Sequence, residues 1–434
     1  MPSFHVLFIP LDTYGHINSC IGIAEKIIKL GHQVTFALEK AWLGKLAKCG
    51  FNEITYVDPS RDPNQGPNDH WTKSIDMIAE TLPEDSLYKA QHQNAKEFEE
   101  FVFNALNFNE ELKSIIDQVN PDIIVLDHYF TVPAIYQSGR KWIYMTSATP
   151  LTAIIHADTP PTGSGYPIDG DRKEWHIFNE VSEKRDGPII NKFNQVLMEK
   201  YGLPSLPEGI AFHPSPYLNI YAYPEELDYL DVRPLPDKWK RFDNFIRTSQ
   251  IDVKDEKFEL NDKLKNRDGK LIFVSMGSMG CSQLNLTKRL IEILSQSPHR
   301  FLMVMGSCQA TVKLPDNIWG DSMLPQLKIL PMVDLVISHG GNNSVIESLY
   351  YGKPLIICPL FYDQYDNAQR LTEKGFGNRI NPYKCKPEEL LEMIERILND
   401  QNINDRCRKI SERMQKIDSP MEAAKAIIDV ALEK

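Results

Sequence analysis

The chain has 434 residues and a formal net charge of −11, and its 42% hydrophobic and 25% charged residues are typical of a globular protein. This composition excludes disordered, collagen-like and low-complexity chains, and the acidic balance disfavours an electrostatic nucleic-acid surface. The longest apolar runs, such as residues 355–361, are far shorter than the roughly 18 residues of a membrane span. At about 150 residues per domain, the length predicts two or three domains.

The termini and the cysteines indicate the compartment. The N-terminus has neither a basic region nor a small-residue cleavage site, and residues 421–434 form an amphipathic, charged segment. The seven cysteines are scattered and include no Cys-x-x-Cys pair, which argues against a disulfide framework and against a zinc site. We therefore expect a soluble, cytoplasmic protein without a membrane span.

The first elements predict a β-α-β unit. The apolar run Phe4–Pro10 predicts a buried strand. Apolar side chains at helical spacing from Ile17 to Ile28 predict a helix that ends at Gly31, and Val34–Leu38 predicts the next strand. Such a unit has a right-handed crossover and implies a parallel sheet.

Two further strands are predicted at 121–127 and 141–146, with a helix over 131–138 between them. In open parallel sheets, ligands bind at the carboxyl ends of the strands. His16 follows the first predicted strand, and Asp127 ends the strand that begins at residue 121. We therefore expect both side chains near a ligand.

The second half of the chain repeats the alternation after a proline-rich stretch over 200–240. Its predicted elements are strands at 270–276, 301–305, 334–338 and 355–359 and helices at 286–296 and 344–351. The predicted fold is α/β, with two Rossmann-like domains that carry parallel sheets and face each other across a cleft. The predicted divisions are an N-terminal domain at 1–235, a linker at 236–255, a C-terminal domain at 256–418, and a C-terminal helix at 419–434 that can pack back on the N-terminal domain.

The most informative motif follows the strand that ends at Ser338. A Gly-Gly loop lets the backbone approach a ligand, and a helix then begins near Asn343 and Ser344, where free N–H groups suit a diphosphate. Glu347 is placed to accept hydrogen bonds from the vicinal hydroxyls of a ribose, and His339 to donate one to a phosphate oxygen. The alternative is a tight strand–helix turn with a structural histidine.

At these residues the sequence resembles the inverting UDP-dependent glycosyltransferases of the GT-B fold. Their signature combines a Pro-Gln pair, a His-Gly-Gly-x-Asn-Ser-x-x-Glu run, a Gly-x-Pro and a closing Asp-Gln. Here the signature reads Pro325-Gln326, His339 to Glu347, Gly352-Lys-Pro354 and Asp363-Gln364. The spacing between Gln326 and His339 resembles the bacterial macrolide-modifying branch.

The resemblance implies a role for each of these positions. Gln326 contacts uracil, and Met323 stands where many relatives have an aromatic platform for the base. Glu347 binds the ribose, and Asp363 and Gln364 bind the sugar hydroxyls. The residues implied to surround the diphosphate are Gly277, Ser278, His339, Gly341, Asn343 and Ser344. The donor is UDP-glucose, and neither a cofactor nor a metal ion is expected.

The resemblance also assigns the catalytic residues. Gly15-His16 matches the family's Gly-His motif, and Asp127 stands where the family has a partner aspartate. A helix N-terminus keeps an imidazole neutral and able to accept a proton, while a carboxylate orients the ring and stabilises the imidazolium that forms. The alternatives are a structural histidine and an aspartate that caps a turn.

The sequence thus predicts a UDP-glucosyltransferase that places glucose on a hydroxyl of a small lipophilic acceptor, phenolic or flavonoid-like, in detoxification or secondary metabolism. The alternatives are a GT-B sugar-nucleotide epimerase and a non-catalytic relative that binds small molecules. The oligomeric state is left open. The acceptor pocket is expected within 50–110 and 150–250, whose aromatic residues include Trp71, Phe98, Phe101, Phe103, Phe108, Tyr166 and Trp175, although plain core packing is favoured for the phenylalanines. Thr146 and Ser147 are weaker candidates for sugar or acceptor contact.

Overall fold

A computed structural model describes residues 3–62, 64–67, 69–249 and 258–433. The described chain contains two parallel sheets. The first has the strand order β3-β2-β1-β4-β5-β6-β7. Its strands are β1 His5–Pro10, β2 Gln33–Glu39, β3 Asn52–Tyr56, β4 Ile123–Asp127, β5 Lys141–Thr146, β6 Leu218–Ala222 and β7 Trp239–Phe242.

The second sheet has the strand order β10-β9-β8-β11-β12-β13. Its strands are β8 Leu271–Ser275, β9 Arg300–Val304, β10 Ile318–Asp321, β11 Leu335–Ser338, β12 Leu355–Ile357 and β13 Gly377–Arg379. In each sheet the strand order reverses beside the first strand, which is where ligands bind in open α/β sheets. The predicted α/β fold with two parallel sheets is confirmed.

Helices connect the strands of both halves. The first half contains α1 Tyr14–Lys29, α2 Asp69–Met77, α3 Ser86–His92, α4 Ala95–Asn107, α5 Asn109–Val119, α6 Pro133–Gln137 and α7 Arg172–Tyr201. The remaining helices are α8 Asp262–Lys265, α9 Gly277–Gly280, α10 Leu284–Leu294, α11 Gln326–Ile329, α12 Asn342–Tyr350, α13 Asp363–Lys374, α14 Pro387–Asn399, α15 Gln401–Met414 and α16 Ser419–Leu432. Short 3₁₀ helices are Lys40–Trp42, Ala47–Cys49, Pro150–Thr152, Gly306–Thr311 and Leu330–Met332.

The first β-α-β unit shows why these segments fold as predicted. The apolar side chains of α1 that recur at helical spacing, including Ile17 and Ile21, are fully buried against the sheet. Gly31 follows the helix with φ of +89°, a conformation that a glycine adopts without steric cost. β1 then pairs in parallel with both β2 and β4, so the segments after β1 and β4 lie at the same edge.

The predicted linker at 236–255 begins too early. Within it, β7 pairs in parallel with β6 and completes the first sheet. This strand was missed because its sequence, Trp-Lys-Arg-Phe, is short and half charged and follows a proline-rich stretch. Residues 250–255 of the predicted linker and residues 256–257 of the predicted C-terminal domain lie outside the described residues, as does Lys434 at the end of the predicted C-terminal helix.

The C-terminal helix α16 packs against the first half of the chain. Its side chains Ala423 and Ile427 are fully buried, and α1 is its main helical neighbour. Two lysines of the first half hold its ends, since Lys26 Nζ lies 2.9 Å from Asp418 Oδ2 and Lys141 Nζ donates to the Val430 carbonyl at 2.7 Å. Among the described residues, no helix combines the length and apolar character that crossing a bilayer requires.

Candidate active site

His16 and Asp127 meet at the carboxyl edge of the first sheet. His16 lies in the first turn of α1, and Asp127 is the last residue of the neighbouring strand β4. Nδ1 of His16 lies 2.9 Å from Oδ1 of Asp127, and the two residues are only 7% and 1% exposed. The structure therefore brings together the two residues that the sequence singled out as catalytic.

Ser147 holds the other side of the Asp127 carboxylate. Its hydroxyl donates to Oδ2 of Asp127, and its backbone N–H donates to Oδ1 at 3.3 Å. Its neighbour Thr146 is buried, and its hydroxyl oxygen accepts the N–H of Ala148 at 3.3 Å. Sequence reasoning missed this role of Ser147, although its place just after β5, next to β4, was a usable signal.

A second buried histidine, His128, follows Asp127 and is unsuited to be the base. Burial, with a smaller contribution from the nearby His16, lowers the pKa of His128 to about 3. Its Nδ1 accepts the N–H of Phe130 at 3.1 Å, so the ring is already engaged in a local turn. His16 therefore stays the predicted proton acceptor at this edge.

Asp363 reaches this edge from the second half. It begins α13, and its Oδ2 accepts the backbone N–H of Thr149 at 3.3 Å. Burial raises the pKa of Asp363, and the hydrogen bond from Thr149 and the charge of His16 partly offset this rise. The resulting pKa is about 6. The predicted sugar-binding aspartate and the predicted base thus lie within electrostatic reach of each other.

Gln364 stabilises the loop that precedes α13. Its Oε1 accepts the backbone N–H groups of Leu360 at 2.9 Å and of Phe361 at 3.3 Å. Tyr362, the residue before Asp363, has φ of +50°, which is unusual for a residue other than glycine. This tight turn places Asp363 and Gln364 together in the first turn of α13.

His339 lies between two glycines that its ring requires. A Cβ atom on Gly277, whose φ is +74°, would come within 2.6 Å of the ring, and one on Gly341 would come closer still. Ser278 follows Gly277 in α9. Burial lowers the pKa of His339 to about 4, so the imidazole is neutral near pH 7 and has one N–H to donate. Both predicted glycine loops therefore leave room for the same histidine ring.

The start of α12 contacts the first half of the chain directly. Asn343 donates from Nδ2 to the Gly15 carbonyl at 2.7 Å and accepts from the Ser19 hydroxyl at 3.0 Å. Asn342, which sequence reasoning did not select, donates to the Ser147 carbonyl at 3.0 Å. The amide of Asn343 thus bonds to both Gly15 and Ser19 at the start of α1, and its contact with a diphosphate stays a prediction. Ser344, in the same first turn, is half-buried.

Glu347 has two partners in the predicted nucleotide site. Gln326 donates from Nε2 to Oε2 of Glu347 at 2.6 Å, and Arg247 donates from Nη1 to Oε1 at 2.7 Å. Nε of Arg247 is buried and has no hydrogen-bond partner among the described residues, so one donor is left for a ligand. Sequence reasoning missed Arg247 because it follows β7, in the range assigned to the linker.

Arg247 and Glu347 line a small recess between the two halves, whose walls also include Asn18, Ser19, Phe245 and Asn343. Met323 lies between β10 and α11, three residues before Gln326, and is 37% exposed. Across the described part of the chain, no group of three or more His, Cys, Asp or Glu side chains is arranged to hold a metal ion.

A row of aromatic rings begins beside His16 and includes side chains from both halves. Tyr129 meets the His16 ring edge-on at 5.2 Å, and it also contacts Tyr362 at 5.7 Å and Phe101 at 6.1 Å between ring centroids. Trp71 continues the series, 5.9 Å from Phe101. These rings form an apolar wall beside the imidazole.

The other aromatic residues expected near an acceptor pocket pack elsewhere. Phe108 stacks on Tyr56, and Phe103 meets Phe193, so both belong to the hydrophobic core. Tyr166 contacts Phe178, and Trp175 stacks under Arg172, while Phe98 contacts Phe130. Only Trp71 and Phe101 of the expected set join the wall beside His16.

Comparison with known proteins identifies the second half. Residues 249–428 match the family model of UDP-glucuronosyl and UDP-glucosyl transferases. The chain is 22% identical to the NDP-glycosyltransferase YjiC of Bacillus subtilis over 98% of this chain and 97% of that protein. It is also 22% identical to the demethyllactenocin mycarosyltransferase of Streptomyces fradiae over 95% of this chain and 82% of that protein.

Comparison with solved structures extends the likeness to both halves. The glycosyltransferase VinC, solved in complex with dTDP, superimposes with a TM-score of 0.65 at 16% identity. The match covers 98% of this chain and 99% of that chain, so it shows the GT-B fold for the whole molecule. The family match over residues 249–428, these relatives and the GT-B fold together support a place in the UDP-glycosyltransferase family, in the bacterial macrolide-type branch.

Proposed function

We propose that this glycosyltransferase transfers glucose from UDP-glucose, with inversion, to a hydroxyl of a small lipophilic acceptor such as a phenol or flavonoid, in detoxification or secondary metabolism. The observation that carries the proposal is the buried pair of His16 and Asp127, whose facing atoms lie 2.9 Å apart at the cleft. Such a pair is suited to general-base catalysis on a hydroxyl.

The proposed step is a single displacement. With Asp127 beside Nδ1, neutral His16 carries its proton on Nδ1 and accepts one at Nε2. Nε2 takes the proton of the acceptor hydroxyl, the acceptor oxygen bonds to C1 of glucose, and the bond from C1 to the diphosphate oxygen breaks. The bonding electrons leave with UDP, and Asp127 stabilises the imidazolium. In-line attack turns the α-linked glucose of the donor into a β-glucoside.

Several side chains of the second half support a UDP-sugar donor. Glu347 is suited to accept hydrogen bonds from both ribose hydroxyls, which favours UDP over dTDP because dTDP lacks the 2′ hydroxyl. Neutral His339 and the free N–H groups at the start of α12 are suited to the diphosphate. Local donors of this kind are needed, because the net charge of −11 repels an anionic donor at long range.

Two features support the finer assignments. The glutamine at position 364 resembles the residue of the glucose-using members of the family. The ring of Tyr129 and its neighbours Phe101 and Tyr362 present apolar surface beside His16, which suits a flat lipophilic acceptor.

A competition assay tests the proposal. The purified protein is incubated with equimolar UDP-glucose, UDP-galactose, UDP-glucuronic acid and dTDP-glucose and a panel of phenols, flavonoids and macrolides, and the products are identified by mass spectrometry. We expect a mass increase of one hexose on the phenolic acceptors, with UDP-glucose as the preferred donor. If dTDP-glucose were the only donor used, the assignment of UDP-glucose would be wrong. If macrolides were the only acceptors modified, the assignment of a phenolic acceptor would be wrong.

The two alternative functions give different results in the same assay. An epimerase would interconvert UDP-sugars without an acceptor, so UDP-glucose incubated alone must come back unchanged. A non-catalytic binder would retain the acceptor without modifying it. Interconversion of UDP-sugars without an acceptor, or retention of an unmodified acceptor, would replace the proposed function.

A further inference from the structure

A segment of the first half packs into the second half. Residues 69–92, which we call the docking arm, contain α2 and α3 and lie in the chain between β3 and β4 of the first sheet. Ile75 and Leu82 of this arm are 0% and 1% exposed, and they belong to the hydrophobic core of the second half. The arm therefore completes a core that the rest of its own half does not share.

The arm carries a half-buried lysine, Lys89, whose hydrogen bonds reach the loop before Asp363. Nζ of Lys89 donates to the Leu360 carbonyl at 2.6 Å, to the Leu82 carbonyl at 2.9 Å and to the Tyr365 hydroxyl. The Tyr365 hydroxyl in turn donates to the Glu84 carbonyl of the arm at 3.1 Å. Because one amino group donates both to the arm and to the loop, these hydrogen bonds fix the loop to the arm.

Leu360 is held on both of its peptide groups. Its carbonyl accepts from Lys89, and its N–H donates to Oε1 of Gln364 at 2.9 Å. The loop of residues 360–362 leads directly into Asp363 and Gln364, the two residues assigned to the sugar hydroxyls. The position of Lys89 is thereby transmitted through one residue, Leu360, to the residues assigned to the sugar.

Among the described residues, Lys89 itself makes no hydrogen bond to the nucleotide end of the site, although α2 of the arm contacts α9 and Asp76 accepts a hydrogen bond from Gln283 at 2.7 Å. Glu347 is held by Gln326 and Arg247, which come from α11 and from the segment after β7. The interdomain bonds of Asn343 go to α1. A change at Lys89 should therefore act on the sugar and spare the nucleotide.

We propose that Lys89 is a positioning residue that builds the sugar subsite of the donor pocket when the docking arm is seated on the second half. The inference rests on the proposed function, because it takes Asp363 and Gln364 as the contacts of the transferred sugar. Lys89 does not touch the sugar in this account. It sets the geometry of the loop of residues 360–362, which leads into the two residues assigned to the sugar.

The test separates affinity for UDP from affinity for UDP-glucose in Lys89→Met. Calorimetry should give a UDP dissociation constant within about twofold of the wild-type value, and a UDP-glucose dissociation constant raised about tenfold or more. Equal weakening of both ligands would indicate a general structural role and would overturn the proposal, as would unchanged affinity for UDP-glucose.

Lys384→Met provides the matched control. Lys384 also joins the second half to the arm, through an ion pair with Glu84, but it is exposed and does not contact the loop of residues 360–362. Its removal should leave both affinities within about twofold of wild type. If Lys384→Met reproduces the effect of Lys89→Met, docking alone is responsible and the specific role of Lys89 is wrong.

Tyr365→Phe keeps the proposal testable if Lys89→Met does not fold. This change removes one partner of the ammonium and should raise the UDP-glucose dissociation constant about threefold without changing that of UDP. An unchanged ratio of the two constants would then overturn the inference. Failure of the proposed function looks different, because the wild-type protein itself would transfer no glucose to any acceptor.

Discussion

At the scale of single residues, both carboxylate oxygens of Asp127 have partners, with His16 and the Ser147 N–H at Oδ1 and the Ser147 hydroxyl at Oδ2. The serine leaves the carboxylate little freedom to rotate away from the imidazole. This arrangement resembles the orienting acid of a hydrolase triad, which stays ionised and stabilises the imidazolium.

Replacing Asp127 by asparagine tests this role. Asp127→Asn should lower kcat by about a hundredfold or more, because the amide cannot stabilise an imidazolium. The affinity for UDP, measured by calorimetry, should stay within about twofold of wild type. Full turnover in this variant would mean that Asp127 only caps the turn after β4.

The pKa of Asp363 predicts how sugar binding depends on pH. Burial raises this pKa to about 6, so the carboxylate that accepts hydrogen bonds from the sugar is present above pH 6 and is lost as the pH falls through that value. Calorimetric titration of UDP-glucose from pH 8 to pH 5 should therefore show weakening affinity in the wild type. In Asp363→Asn the affinity should be lower at pH 8 and nearly independent of pH. An equally steep loss in this variant would assign the pH dependence to another group.

Sequence reasoning located residues whose chemistry is tied to a strand end or a motif. His16, Asp127 and Glu347 were singled out because each stands at a strand end or in a motif that resembles the family's signature. Arg247 and Asn342 were not found, since their roles depend on contacts between the two halves. No local pattern records a contact of this kind.

At the scale of elements, the glycine loops after β8 and β11 converge on the His339 ring. The loops are close because β8 and β11 are paired neighbours in the second sheet. The imidazole thus fits at this position because neither Gly277 nor Gly341 has a side chain.

Adding a methyl group at one of these loops should displace the histidine. Gly341→Ala is expected to weaken UDP binding about tenfold, because the new Cβ would overlap the ring and move it away from the diphosphate. Gly187→Ala in α7 is the matched control, since its Cβ would meet only Glu183 at an ordinary 3.6 Å. Calorimetry with UDP measures both. Wild-type affinity in Gly341→Ala would rule out the fixed position assigned to His339.

Element prediction succeeded where burial dictated the pattern. β1, α1 and β4 have apolar side chains at the period of their structure, and their predicted bounds agree with the structure to within a few residues. β7 was missed because half of its residues are charged and it is only four residues long. The docking arm could not be predicted, because its few buried side chains pack on a sheet almost two hundred residues later in the chain.

At the scale of the whole molecule, the two halves are joined by specific polar bonds across the cleft as well as by the connecting segment. α16 returns to the first half, and the start of α12 bonds to the start of α1. The segment after β7 carries Arg247 into the nucleotide site of the second half. The donor pocket is therefore built from both halves.

A double-mutant cycle tests the contribution of Arg247. Arg247→Met and Glu347→Gln should each weaken UDP binding about tenfold, and the double variant should be scarcely weaker than either one, because the two residues act as a pair. Glu347→Gln should also erase the preference for UDP over 2′-deoxy-UDP. Arg267→Met, which removes an exposed arginine outside the recess, serves as the control. Additive losses in the cycle would mean that the two side chains act independently.

The central claim is that His16 removes the proton of the acceptor hydroxyl. The most direct measurement is the single-turnover rate of glucose transfer from saturating UDP-glucose to a phenol, compared between the wild type and His16→Ala. The account predicts a loss of about a hundredfold or more in the variant, with UDP-glucose affinity unchanged. A variant that transfers glucose at the wild-type rate would contradict it.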